Sequence, residues 1–208
     1  GSDQLLLAFV NRGSRVSHGT LRSMLTRLGE PGAERVNGQL LPKPIGRLGA
    51  YIDFGVVQRF CVSIPWGDLF TAWTGTGIPN IVTMTAARPL MHRLLRFQAL
   101  YNPLLQTAAF RRLLVHWVDR NVWGPNADEL GQGQALVYGK ITHPDGRVRE
   151  ARLALPESYR LTAMTSVGLV QQLGSLREQG RKGWLTPAAA MGPDWVVSLE
   201  GCRWLEPA

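Results

Sequence analysis

The chain has 208 residues, 45% hydrophobic and 18% charged, enough apolar material for one substantial core and too few charges for a disordered polymer. No apolar run approaches the roughly 20 residues of a membrane-spanning helix, and Cys61 and Cys202 stand far apart without metal-type spacing, which predicts free thiols in a reducing, cytoplasmic setting. The formal net charge of +8 is mostly arginine, since Lys43, Lys140 and Lys182 are the only lysines; no helix-turn-helix, RNP or OB signature accompanies it, so no nucleic-acid partner is expected.

In chain order, the continuous apolar run Gln4 to Val10 reads as a strand, ended by Asn11-Arg12-Gly13. Ser17 is placed to cap a helix through Met24, Leu25 and Leu28, with Gly29 as its stop. Asn37-Gly38 between short extended segments signals a hairpin. Residues 50–54 and 60–64 are the next strands, 68–73 a short helix, and 81–86 a strand. Pro89 opens a helix to Tyr101, and Asn102-Pro103 breaks it and starts another to about Asp119. Residues 135–142 and 148–155 flank the turn Pro144-Asp145-Gly146. A helix follows over 162–173, capped by Gly174, and residues 195–199 form a last strand. Hairpins dominate the connections, so the expected fold is α+β: one domain with a mixed, mostly antiparallel sheet, helices on one face, and a basic helical pair over about 88–120.

The most constrained stretch is Ile64-Pro65-Trp66-Gly67-Asp68, followed by Thr76-Gly77-Ile78-Pro79-Asn80-Ile81. Glycine opens dihedrals closed to other residues and proline fixes its own, so a shaped loop is expected, and shaped loops at strand ends tend to carry function. Asp68 either caps the following helix or works at a substrate. Thr71, Thr74, Thr76 and Asn80 offer neutral donors and acceptors that orient a carbonyl or a nicotinamide amide, or satisfy loop backbone. Trp66 suits core packing or a pocket wall. Ser17 and Thr20 at a helix start form an anion-compatible site or a plain N-cap. His18, His92, His116 and His143 lack ligand spacing, so no metal is expected.

These motifs carry a resemblance. Ile64 to Ile81 resembles the characteristic run of the second domain of the saccharopine dehydrogenase-like oxidoreductases, a family that includes the trans-acting enoyl reductases of bacterial lipid assembly. Ser17-x-Gly19-Thr20, Tyr159-x-Leu161-Thr162-Ala163, and Thr186-Pro187 with Gly192-Pro193-Asp194 resemble further islands of that family, in the same order. The family places a nucleotide-binding domain first. Here Gly75-Thr76-Gly77 and Gly131-Gln132-Gly133 both lack the third glycine of a dinucleotide fingerprint, and Gly1-Ser2 looks like the scar a protease leaves. The resemblance therefore implies the substrate-binding and homodimerising half of an oxidoreductase. It implies no cofactor in this chain, with NADP or NAD in the chain's own N-terminal domain. Pro65, Trp66, Gly67, Thr71, Thr76, Gly77 and Asn80 would then face substrate and cofactor, with Asp68 the catalytic candidate.

Between Asp68 and Asp119 the chain has no acidic residue, yet it carries Arg88, Arg93, Arg96, Arg111 and Arg112. Phe110, Leu113, Leu114 and Trp117 form one helical stripe, and Leu90, Leu94, Phe97 and Tyr101 another. Two core-packed helices with solvated arginines are one expectation. The other is a lid over a long, lipid-like substrate or a membrane-peripheral surface meeting anionic lipid.

Overall fold

The computed structural model describes residues 3–205, so Gly1-Ser2 falls outside the described residues. Strands β1 (Gln4–Arg12), β2 (Gly32–Val36), β3 (Gln39–Lys43), β4 (Gly49–Asp53), β5 (Gln58–Ser63), β6 (Asn80–Ala86), β7 (Gln134–Thr142), β8 (Val148–Pro156) and β9 (Arg203–Leu205) join in one sheet. Its order is β3-β2-β6-β1-β7-β8-β9, with β4 paired to β5 and β5 to β6. Every pairing is antiparallel except β1 with β6. The helices are α1 (His18–Thr26), α2 (Asp68–Thr76), α3 (Pro89–Leu95), α4 (Gln98–Leu105), α5 (Ala108–Asn121), α6 (Ala127–Gln132), α7 (Ser158–Glu178) and α8 (Pro187–Met191), with a 3-10 turn over Pro193–Ser198. The fold is the expected mixed α+β class.

Alternation along the strands separates two cores. Ala8 and Val10 point to one face, where Met84, Leu136, Tyr138 and Ala154 meet Ile52, Phe54 and Cys61 of the β4–β5 hairpin. Leu5 and Leu7 point to the other face, where Ile81 packs under Leu69 and Ala72 of α2. On that same face Ala135, Leu153 and Leu155 pack against Leu161 of α7 and Val196, Val197 and Leu199. Two groups of helices thus share one sheet face.

Both predicted hairpin turns form. Asn37 and Gly38 take φ of 50° and 79°, the left-handed pair such a turn needs. At the second turn Gly146 has φ 85° and Asp145 accepts the Arg147 amide.

Four expectations are corrected. Asn102-Pro103 lies inside α4. The breaks come at Arg96-Phe97 and at Thr107, whose extended backbone and side-chain bond to the Phe110 amide start α5; a good N-cap outweighs one proline. Helix α7 begins at Ser158 behind a Glu157 cap and passes through Gly174 to Glu178. Residues 195–199 are no strand, because Pro193 at the first position starts a 3-10 turn, and a short apolar run cannot by itself tell helix from strand. Asp68 caps nothing: Gly67 is the N-cap of α2 and makes no side-chain bond. The first amides of α2 are met by backbone oxygens of Trp66 and Gly67.

Candidate functional site

Helix α2 turns two stripes to two neighbours. Leu69 enters the core, while Asp68, Thr71, Ala72, Gly75 and Thr76 recur at i, i+3, i+4, i+7 and i+8, the spacing of one helix face. That face forms one wall of a groove of about 580 Å³. The opposite wall is built by Thr165 of α7, by Thr186 to Ala189 at the start of α8, and by Gly192, Pro193, Trp195 and Val196. The space exists because small residues face each other: Ala72 and Gly75 on one side, Ala188, Ala189 and Gly192 on the other. Gly168 lets Trp195 lie close against α7, since a Cβ there would sit 2.9 Å from the indole.

The hydroxyls of this groove are mostly committed. Thr76 donates to the Ala72 carbonyl at 2.7 Å and Thr165 to that of Leu161 at 2.9 Å. Thr186 accepts the Ala189 amide as the cap of α8. Asp68 and Thr71 remain: no hydrogen bond engages the Asp68 carboxylate or the Thr71 hydroxyl among the described residues, and the two lie one turn apart. An exposed carboxylate and a half-buried hydroxyl above an apolar trough can orient a polar headgroup while the trough takes a chain.

The loop before α2 is fixed from below. Thr83, buried in β6, donates to the Ile64 carbonyl at 2.5 Å and accepts the Trp66 amide at 3.3 Å. Trp66 stands edge-on to Phe9 with centroids 4.9 Å apart, on the sheet face that carries α2. Its indole Nε1 is buried without a partner among the described residues. Behind α2, the buried Arg35 donates to the Leu69 and Gly38 carbonyls and lies 4.2 Å from the Trp73 ring, while Phe70 meets Trp184 edge-on at 5.5 Å. The helix is held on both flanks.

Other candidates are placed differently. Asn80 accepts the Asn37 amide and donates to the Asp3 carbonyl, tying the hairpin turn to the start of β1. Gly77 is the left-handed C-cap of α2 at φ 69°. Gly75-Thr76-Gly77 therefore stands at a helix C-terminus, the negative end of the dipole, which repels a pyrophosphate. Gly131-Gln132-Gly133 likewise ends α6. Neither fits dinucleotide phosphates.

Ser17 caps α1 as expected, and the same site meets the phenol of Tyr159. The Ser17 amide donates to Tyr159 Oη at 2.7 Å, Thr20 Oγ1 lies 3.1 Å from it, and Ser17 Oγ donates to Thr20 Oγ1 at 2.9 Å. Burial pushes the phenol up, but the Ser17 and Thr20 hydrogen bonds outweigh it and leave Tyr159 below its ordinary value. Two residues earlier, the fully buried Glu157 accepts the Tyr159 and Arg160 amides and the Ser14 hydroxyl. Neither Glu157 nor Thr83 lies in a recognisable motif, so sequence reasoning missed both; Thr165 and Trp195 become visible only once α7 is known to face α2. No group of three His, Cys, Asp or Glu side chains close enough to hold a metal occurs among the described residues. Among these residues no helix is long and apolar enough to cross a membrane.

Compared with known proteins, the sequence matches no family model and no curated protein.

Proposed function

We propose that this chain is the substrate-binding and dimerising half of a saccharopine dehydrogenase-like oxidoreductase, and that the groove beside α2 receives an unsaturated, lipid-like acyl substrate. The observation that carries the proposal is the meeting of separated motifs: Asp68, Thr71 and Thr76 from the Ile64 to Ile81 run face Thr186-Pro187 and Gly192-Pro193 across one apolar trough. Residues more than a hundred positions apart share a site that none of them forms alone.

In this account the small residues accept the acyl chain and exclude water from it. The Thr71 hydroxyl donates to the acyl carbonyl, and Asp68 keeps the mouth polar. NADP or NAD, held by a separate nucleotide-binding domain, supplies the hydride. No residue of this chain is assigned to hold its phosphates, in keeping with the two glycine pairs at helix ends. A two-fold homodimer completes the proposal, tested by light scattering over a range of concentrations; a monomer throughout contradicts it.

The decisive experiment is reduction of a 2-enoyl thioester by NADPH in the complete two-domain protein, comparing wild type with Thr71→Val and Ala188→Trp. Filling the trough or removing the donor should lower kcat/KM by about tenfold or more, the loss of roughly one good hydrogen bond or pocket contact. Unchanged turnover in both variants overturns the groove as the substrate site. A second account, a non-catalytic lipid- or protein-binding module, is favoured by how many of the groove's hydroxyls are already spent on backbone. It predicts acyl binding with no NADPH oxidation.

A further inference from the structure

Helices α3, α4 and α5 each carry a row of large apolar side chains outward, while Leu95, Leu105, Phe110 and Val118 turn inward or stay half-buried. Leu90 and Leu94 in α3, Leu100 and Leu104 in α4, and Leu113 and Trp117 in α5 are all exposed, and each pair is spaced i, i+4, so each helix shows an apolar row to solvent. Leu100 is 82% exposed, and Trp123, just beyond α5, 85%. Monomers seldom leave so many large apolar side chains together in water without a partner.

The inner side of this layer is fixed polar atom by polar atom. Gln98 donates to the Ile45 carbonyl and Gln106 to that of Gly29. Arg111 donates to Leu28 and pairs with Glu30 at 3.5 Å. Those bonds set which sides of α4 and α5 face outward. The expectation of two core-packed helices is not met along these rows, because Leu90, Leu94, Phe97 and Trp117 are exposed.

Charge selects the occupant. Arg88, Arg93, Arg96 and Arg112 are exposed, and no carboxylate pairs with them among the described residues. The acid-free interval from residue 69 to 118 contains α3, α4 and most of α5, and the one carboxylate of these helices, Asp119 in the last turn of α5, is taken up by His18 and Arg22. A second copy docked on the same face would set arginine against arginine, which disfavours self-association there. Leucine and tryptophan rows interleaved with unpaired arginines match the interface of a bilayer bearing negative headgroups: the apolar rows enter the acyl boundary while guanidinium groups bind phosphates. We propose that the α3–α5 layer is a peripheral docking surface for anionic phospholipid membranes. The proposal stands on these helices and does not rest on the reductase account.

The test is co-sedimentation of the 208-residue chain with large vesicles of phosphatidylcholine alone or mixed with phosphatidylglycerol. The chain should pellet with the anionic vesicles, weakly or not at all with the neutral ones, and less as salt is raised. Arg93→Gln and Arg96→Gln should each lower the partition coefficient about fivefold, the equivalent of about 1 kcal/mol per surface arginine. Leu100→Glu should abolish pelleting while leaving circular dichroism and Tm nearly unchanged, because the side chain is 82% exposed. No pelleting with anionic vesicles overturns the proposal, as does pelleting that Leu100→Glu leaves intact. Light scattering provides a separate outcome: a concentration-dependent dimer that Leu100→Glu dissolves would mean that a second copy covers this face.

Discussion

The phenol of Tyr159, at the start of α7, receives the backbone N–H of Ser17, the cap of α1, at 2.7 Å. Two helix N-termini that begin 140 residues apart in the chain, at His18 and Ser158, are thereby clamped together. Because the hydrogen bonds that Ser17 and Thr20 contribute outweigh burial, folded Tyr159 gives up its proton more readily than unfolded Tyr159. A depressed folded pKa makes the native state gain stability as pH rises through it toward the unfolded value near 10. Tyr138 moves the other way, raised by burial first and then by Glu150. Ultraviolet titration should therefore show one early and one late phenol. Tyr159→Phe should remove the early one and cost about 1 kcal/mol of stability. An unchanged early phase in that variant contradicts the assignment.

Glu157 concentrates several satisfactions in one buried carboxylate. Glu157→Ala strands the Tyr159 and Arg160 amides at the head of a 21-residue helix and leaves the Ser14 hydroxyl only its long contact to the Arg15 carbonyl; the expected cost is about 2–3 kcal/mol by chemical denaturation. Glu157→Gln keeps the shape and should cost less. Equal stability in all three proteins would show that the cap carries no weight.

Asp68 and Asn80 should separate function from folding. Asp68 is exposed and makes no hydrogen bond among the described residues, so Asp68→Ala should lose at most about 0.5 kcal/mol of helix-dipole interaction. Asn80 joins Asn37 to Asp3, so Asn80→Ala should cost about 1–2 kcal/mol. Under the proposed reductase function, Asp68→Ala should reduce NADPH-dependent turnover far out of proportion to its effect on Tm. Full turnover in a folded Asp68→Ala protein removes Asp68 from the site.

Dinucleotide binding should be weak in this chain. Both Gly-x-Gly pairs end helices, where the dipole opposes a phosphate. Calorimetry with NADPH should show no micromolar isotherm, and a tight one would require a phosphate site elsewhere in the fold.

Much of the sheet was legible because its signals are local. Asn37-Gly38 and Asp145-Gly146 dictate their turns through glycine and a short polar side chain, and the continuous apolar run of β1 has strand length and a clear stop at Asn11-Arg12-Gly13. The helical boundaries were less legible, since Thr107 as a cap overrode Pro103 and Glu157 began α7 four residues before its apolar pattern. The site was half visible. Asp68 and Thr71 sit in the most constrained segment of the chain, but their counterparts Thr165, Ala188 and Trp195 become neighbours only when two helical groups settle on the same sheet face. The outward turn of α3–α5 was hidden for a related reason: an amphipathic row does not state whether its apolar side meets a core or a partner.

The central claim, an acyl groove between α2 and α7–α8, is tested most directly by titrating the isotopically labelled chain with a long-chain 2-enoyl thioester and following backbone amide and alanine methyl resonances. The account predicts saturable shifts confined to Thr71, Gly75, Thr165, Ala188 and Trp195, lost in Ala188→Trp. Shifts that map to Leu90 through Trp117 alone, or no saturable shift at the groove, would contradict it.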